Sequence, residues 1–268
     1  MQHVLWLGGP PAAGKTTVAT CLACRYGLRL YSADTRTWLH RDRALAAGHQ
    51  AAVRWEALTP EERWDRSTVT GMLEMSLHRE RGAMVVDDLA ALPASPLIIA
   101  EGSTLPASAI SDGIAVRSQA VWLMPTREFQ RERLRAQETP EGQARLYAAL
   151  RRLIEREAKD HGAHILPVDG SQCIAEITET VTGIFGDALA HGPRAEEAGQ
   201  RRALRREANE ATATQVYGYD ARPWANGDPD TVVRPFICEC GDPGCHEFIR
   251  LPVGALGSSR PLAPGHTT

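Results

Sequence analysis

Lysine is almost missing from this chain of 268 residues. Of its 30 Lys and Arg residues only Lys15 and Lys159 are lysine, and the other 28 (30 − 2) are arginine. Wherever either cation serves, the sequence uses Arg, so Lys15 answers a more specific demand. Long apolar runs are also missing. None approaches the roughly 20 residues of a membrane-spanning helix, and no membrane partner is expected. A basic surplus is lacking as well: the net charge is −3 and the pI about 6.3. No global positive field therefore argues for bulk nucleic-acid binding. The N-terminus carries no signal-peptide pattern, because a glycine-rich turn begins within ten residues. With six cysteines at spacings that do not suggest disulfide pairs, this points to the cytoplasm. What is present, 43% hydrophobic and 24% charged residues, suits one large globular domain or one domain plus an appendage.

The lone early lysine sits in Gly9-Pro10-Pro11-Ala12-Ala13-Gly14-Lys15-Thr16. This string fits G-x-x-x-x-G-K-[ST], the phosphate-binding loop. Val4–Leu7 reads as a buried strand before it, and Val18, Cys21, Leu22 and Arg25 follow at helical spacing. Strand, glycine turn and helix N-terminus are thus in the required order. Backbone N–H groups from about Ala13 to Thr17 can point at phosphate oxygens, and the helix dipole favours anions there. Pro10 and Pro11 have no N–H and stiffen the first half of the loop. An ammonium on a flexible stem suits the β- and γ-phosphates, which accounts for Lys15. The Thr16 hydroxyl is placed to hold Mg²⁺. Gly9, Ala12, Ala13, Gly14, Lys15, Thr16 and Thr17 are the residues expected to hold the nucleotide.

Residues 1–190 alternate strand-like and helix-like segments, the pattern of an α/β parallel sheet. Strands are expected at His3–Leu7, Leu28–Ser32, Leu97–Ala100, Ala120–Leu123 and His164–Val168. Helices are expected at Met72–Arg81, Thr126–Gln137, Glu141–Asp160 and Glu176–Leu189. Residues 191–233 read as a linker, in which Arg194–Ala211 is charged nearly all round and reads as a solvated helix or a tether. Residues 234–268 form a Cys-rich tail whose last ten residues look frayed.

Several residues fall where chemistry is expected. Asp34 lies just past the second strand, at the ligand-facing end of a parallel sheet. A carboxylate there can orient an acceptor hydroxyl and take its proton, although Asp34 equally suits a helix N-cap. "AMVVDD" (83–88) and "LIIAEG" (97–102) compete for the third strand. Val85, Leu89 and Leu92 recur at i, i+4, i+7, which favours a helix for the first. Glu101 is then the strand-end acid, toward Mg²⁺-bound water or substrate, and Asp87 and Asp88 are surface or helix residues. Nine Arg or Lys lie between Arg127 and Lys159. Arg131, Arg133, Arg135 and Arg145 surround the Glu138-Thr139-Pro140 break, where a phosphate-closing lid could sit. The interleaved glutamates fit a plain solvated helix equally well. Asp169 and Gly170, after the fifth strand, would border the nucleotide base or form a turn.

The tail contains Cys238-x-Cys240-x4-Cys245-His246, threaded by Gly241, Pro243 and Gly244. Three thiols and an imidazole suit a structural zinc ion. Cys238, Cys240, Cys245 and His246 are the candidate ligands. Adjacent Cys245 and His246 do not easily both reach one ion, so the fourth ligand is open. Cys21 and Cys24 lie on the helix after the phosphate loop and read as packing residues.

Taken together, "LGGPPAAGKTT", "YSADT", "IIAEG", "VWLMPTREFQRERL" and "VDGS" resemble the small-molecule kinase branch of the P-loop NTPases. That branch includes gluconate, shikimate and chloramphenicol kinases, zeta toxins and adenylate kinase-like enzymes. The resemblance covers about residues 1–190. It implies a three-layer α/β sandwich with a five-stranded parallel sheet of order 2-3-1-4-5, ATP with magnesium, and phosphorylation of a hydroxyl. Asp34 matches the position that contacts the acceptor in several members. Glu101 departs from the usual Asp at the strand-end acid position, and the Cys-rich tail is absent from the familiar small kinases and looks like an appended module. Trp38, His40, Asp42, Trp55 and Trp64 are candidates for the acceptor pocket. The leading expectation is a kinase for a small hydroxylated molecule. A polynucleotide 5′-kinase and a non-enzymatic nucleotide switch with a zinc interaction tail are the alternatives. The sequence names neither the acceptor nor the oligomeric state.

Overall fold

The computed structural model describes residues 1–267. In chain order the elements are β1 (Val4–Gly8), α1 (Lys15–Tyr26), β2 (Arg29–Ser32), α2 (Thr37–Ala46), α3 (Gln50–Ala57), α4 (Val69–Met75), α5 (His78–Ala91), β3 (Ile98–Gly102) and α6 (Ser108–Ser111). They continue with β4 (Ala120–Pro125), α7 (Arg127–Ala136), α8 (Glu141–Asp160), β5 (His164–Val168), α9 (Ile174–Ile184), α10 (Gly186–His191), α11 (Ala198–Asp220), β6 (Val233–Ile237) and β7 (Phe248–Pro252).

β1, β3 and β4 are buried along their whole length, as continuous apolar runs covered on both faces should be. Their side chains alternate between two cores. Val4, Trp6, Ile98, Ala100 and Trp122 face one side, and Leu5, Leu7, Ile99, Val121 and Leu123 face the other. The period-2 geometry of a strand produces this division. The sheet is parallel throughout, in the order β2-β3-β1-β4-β5. This is the P-loop three-layer sandwich. A separate antiparallel hairpin, β6 with β7, forms the small C-terminal appendage.

All five expected strands are present within a few residues, and "AMVVDD" lies in α5. The expected helix at Met72–Arg81 is two helices, broken where buried Leu77 turns left-handed at φ 55°. The helix expected at Glu176–Leu189 is likewise α9 and α10, divided at Phe185.

The larger departure concerns α11. Charge all round suggested solvent, yet Arg205, Asn209, Ala213 and Val216 form a buried stripe. Two of these four are polar, which hid the stripe from a hydrophobic-period reading. Their partners lie in the C-terminal hairpin. Arg205 donates to the carbonyls of Cys238 (2.9 Å) and Asp242 (2.6 Å). Asn209 donates to Ile237 O at 2.9 Å and accepts from Ile237 N at 2.7 Å. Its other side covers edge strand β2, where Arg29 pairs with Glu207 at 3.1 Å. A sheet edge covered by a helix is shielded from pairing with another chain. The last residues are also folded back rather than frayed: Glu239 N donates to Pro261 O at 2.8 Å, and Ala263 N to Cys238 Sγ at 3.3 Å. No described helix is long and apolar enough to cross a membrane.

Candidate active site

The loop between β1 and α1 depends on two unusual backbone positions. Gly9 has φ 136°, and a Cβ there would lie 2.2 Å from Leu123 O; Gly14 has φ 86° at the start of α1. Only glycine adopts both without strain or clash. Ala12 is left-handed too, at φ 67°, a conformation that costs a residue with a Cβ about 1–2 kcal/mol. Ala13 is buried beneath the loop. The first N–H groups of α1, at Lys15, Thr16 and Thr17, have no partner within the helix. Gly14 offers no side-chain cap, so these donors are free for an anion. Lys15 is buried and its Nζ donates to Pro10 O at 2.9 Å. Buried Gln130 of α7 braces the loop from outside, donating to Pro11 O at 3.0 Å.

Beside the loop, β2 and β3 bring Ser32 level with Glu101. Glu101 is fully buried, accepts from the Ser32 hydroxyl, and leaves Oε2 without a hydrogen-bond partner among the described residues. Burial, reinforced by the negative charge of Asp34, pushes its carboxyl up to about 7, while Lys15 and the Ser32 and Thr16 hydroxyls pull the other way. A buried carboxylate with a spare oxygen beside a threonine hydroxyl is a set of hard oxygen donors that fits Mg²⁺ and its waters. Thr16 and Glu101 thus lie side by side, at the start of α1 and the C-terminal end of β3.

Asp34 lies in a short 3-10 turn after β2, is exposed, and accepts from Ser103 Oγ at 3.3 Å. Its charge also raises the phenol of Tyr147, which burial raises first. Arg81, deeply buried on α5, donates to Ala33 O (2.8 Å) and Thr37 Oγ1 (2.9 Å) and so holds this turn in place. Arg81 went unnoticed in the sequence because nothing in "HRERGAMVV" distinguishes it from other helix arginines.

Thr16 and Asp34 open onto a chamber of about 970 Å³. Its far wall is aromatic and cationic. Trp38, Tyr219 and Trp224 meet with centroids 5.3–5.9 Å apart. Trp55 and Trp64 meet edge-on at 5.2 Å. The Arg63 guanidinium lies 4.1 Å from the Trp224 ring centroid and 4.9 Å from that of Trp55, and Arg41 lies 4.5 Å from Trp55. Burial pulls Arg41 down to about 9 against the opposing charge of Glu56. Trp224, beyond α11, donates from its indole to Glu56 Oε2 at 2.8 Å. Trp38, Trp55 and Trp64, the candidates for an acceptor pocket, line this chamber. His40 and Asp42 do other work. His40 is buried against Asp88 at 2.8 Å, and Asp42 pairs with Arg222 at 2.6 Å. Asp88, read as a surface or helix residue, also accepts from Tyr31 OH and Arg43.

Other candidates lie apart from the chamber. Arg131, Arg133 and Arg135 are exposed on α7 and do not line it. Asp169 accepts from Ser171 N (2.9 Å) and Ser171 Oγ (2.6 Å), an ordinary turn, with Gly170 beside Phe129. In the tail, the ligating atoms of Cys238, Cys240, Cys245 and His266 lie within 4.8 Å of one another, a group able to hold a metal. His246, expected as the fourth member, is exposed and outside this group. The chain folds back from Pro261 and delivers a histidine twenty-one positions after Cys245 (266 − 245), a spacing that no local motif announces.

No family model matches this chain, and no curated protein matches it. Among solved structures, shikimate kinase from Acinetobacter baumannii in complex with shikimate overlaps 69% of this chain and 94% of its own, at 20% identity and a TM-score of 0.39.

Proposed function

We propose that this protein is an ATP-dependent kinase that phosphorylates a hydroxyl of a small molecule. The observation that carries the reading is the meeting of two unlike surfaces. A phosphate cradle with a buried lysine and an under-satisfied buried carboxylate opens directly, past Asp34, onto a half-open chamber large enough for an organic acceptor.

In this reading the N–H groups of Gly14 to Thr17 and the Lys15 ammonium hold the β- and γ-phosphates. Thr16 and Glu101 would hold magnesium. When bound, the ion neutralises charge on the phosphate oxygens. Asp34 accepts the proton of the acceptor hydroxyl as its oxygen bonds to the γ-phosphorus. The bond from that phosphorus to the β,γ-bridging oxygen breaks, and ADP leaves with the electron pair. Arg81 is a positioning residue, fixing the turn that presents Asp34. Arg131, Arg133 and Arg135 would reach phosphate only by a movement of α7, and Asp169 and Gly170 would border the base. Residues 1–190 carry the transfer, residues 191–233 contribute the chamber wall, and residues 234–268 form the Cys-rich appendage.

The test supplies magnesium and ATP with and without the small-molecule fraction of a cell extract, and follows ADP release and new phosphate esters by phosphorus NMR. ADP release that requires the extract and matches ester formation is the expected outcome. ADP release at the same rate without any acceptor, or ATP binding with no transfer to any component, contradicts the reading.

A further inference from the structure

The Cys-rich appendage has too little core to explain its order. Its hairpin contributes Phe236, and the following turn Val253 and Leu256, to a small cluster with α11. Around Cys238 the buried apolar side chains reduce to the cysteines themselves and Ala263. A segment of this size rarely folds on hydrophobic burial alone, and a structural metal or disulfides commonly supply the deficit. No disulfide is present, and all six cysteines are free.

Instead, three separate stretches converge on one point. Cys238 and Cys240 come from the turn just after β6, Cys245 from the turn before β7, and His266 from the segment that folds back after Pro261. The four ligating atoms fit within 4.8 Å, and His266 Nδ1 approaches Cys238 Sγ at 3.6 Å. Donors already point at the sulfurs. Ala263 N–H lies 3.3 Å from Cys238 Sγ, and Arg205 Nη1 lies 3.5 Å from Cys240 Sγ. Such N–H donors around sulfur are the outer shell that orients thiolate ligands and offsets their charge.

We infer that Cys238, Cys240, Cys245 and His266 bind one structural zinc ion, which clamps the end of the chain and the β6–β7 hairpin onto α11. Three thiolates and one imidazole, with no position left for substrate, are a closed tetrahedral zinc set. The soft donors exclude magnesium and calcium. The clamp acts through Arg205, whose one guanidinium spans the Cys238 carbonyl, the Cys240 sulfur and the Asp242 carbonyl. The zinc site does not depend on the phosphotransfer reading, and its test uses no activity measurement.

The full-length protein is reduced, loaded with zinc, freed of excess metal and analysed. About one zinc per chain is expected. Loading with cobalt in its place should give intense thiolate-to-cobalt absorption and the visible bands of a tetrahedral ion. His266→Ala removes one ligand from a segment outside the five-stranded sheet. It should weaken zinc binding at least about tenfold and change the cobalt visible bands, while His246→Ala should leave both unchanged. Amide exchange should quicken across residues 234–267 and α11 on zinc removal, and not in β1, β3 and β4. Absence of zinc with no cobalt–thiolate absorption overturns the site. Zinc retained in His266→Ala but lost in His246→Ala overturns the ligand set, and zinc bound without any change in tail exchange overturns the clamp.

Discussion

The glycine-rich loop, proposed as a phosphate cradle, and the aromatic chamber beside it, proposed as the acceptor site, are built in opposite ways. The cradle is nearly one piece of chain: residues 9–17 supply its two left-handed glycines, its buried lysine and its free N–H donors. Gln130 and Glu101 reach it from elsewhere. The chamber has no such core segment. Trp38 comes from α2, Trp55 from α3, Arg63 from the turn at Glu62–Arg66, Tyr147 from α8, Tyr219 from α11 and Trp224 from the loop beyond. Anion binding by backbone dipoles is a generic task that one strand–turn–helix solves by itself. Selecting an acceptor is an individual task, and in the proposed reading side chains gathered from distant positions would perform it.

Damage to the cradle should therefore be large and indifferent to acceptor, while damage to the chamber wall should be smaller and confined to acceptor. Lys15→Ala gives the largest effect: at least about 10³-fold loss of transfer, weaker ATP binding by calorimetry, and an unchanged fold by circular dichroism. Lys15→Arg should fail as well, because a rigid planar guanidinium poorly replaces a point charge inside a tight loop.

The next effect tests the buried carboxylate at the junction. With the Glu101 carboxyl raised to about 7, magnesium-dependent ATP affinity should fall about tenfold from pH 8 to pH 6. Glu101→Gln should be weaker throughout and lack that dependence. The same shift predicts the stability of the ligand-free protein. The folded carboxyl keeps its proton to a higher pH than the unfolded one at 4.5. Stability should therefore fall as pH rises from about 4.5 to about 7, and Glu101→Gln should remove that fall. Urea titrations at several pH values read this directly.

The most confined effect belongs to the wall. Trp224→Ala removes the aromatic face over Arg63 and the indole hydrogen bond to Glu56. Together these contacts should contribute about 1–2 kcal/mol. The acceptor KM should rise about 5–20-fold, with ATP affinity unchanged. A matching loss of ATP affinity would erase the distinction between the two regions.

The same contrast governs what the sequence alone disclosed. The parallel sheet was legible because its strands are continuous apolar runs between turn signals, and Glu101 because a strand-end acid stands out after "LIIA". Asp34 was legible as a position, from the strand before it. Arg41, Arg63 and Arg81 were not, since 28 arginines make any one of them inconspicuous. α11 was misread because its buried stripe is half polar, with Arg205 and Asn209 satisfied by carbonyls that only the folded hairpin brings near. His266 was missed for the same reason. Its place beside the cysteines comes from a fold-back after Pro261, and His246 offered a nearer imidazole in sequence but not in space.

Asp34 is where the two regions meet, and Asp34→Asn tests that meeting most directly. ATP binding by calorimetry and turnover with acceptor should be measured on the same preparation. If phosphate binding belongs to the cradle and proton removal to Asp34, ATP affinity should stay within about twofold while turnover falls about 10²-fold or more. Full turnover in Asp34→Asn would contradict the account, leaving this carboxylate a turn residue and placing the acceptor hydroxyl elsewhere.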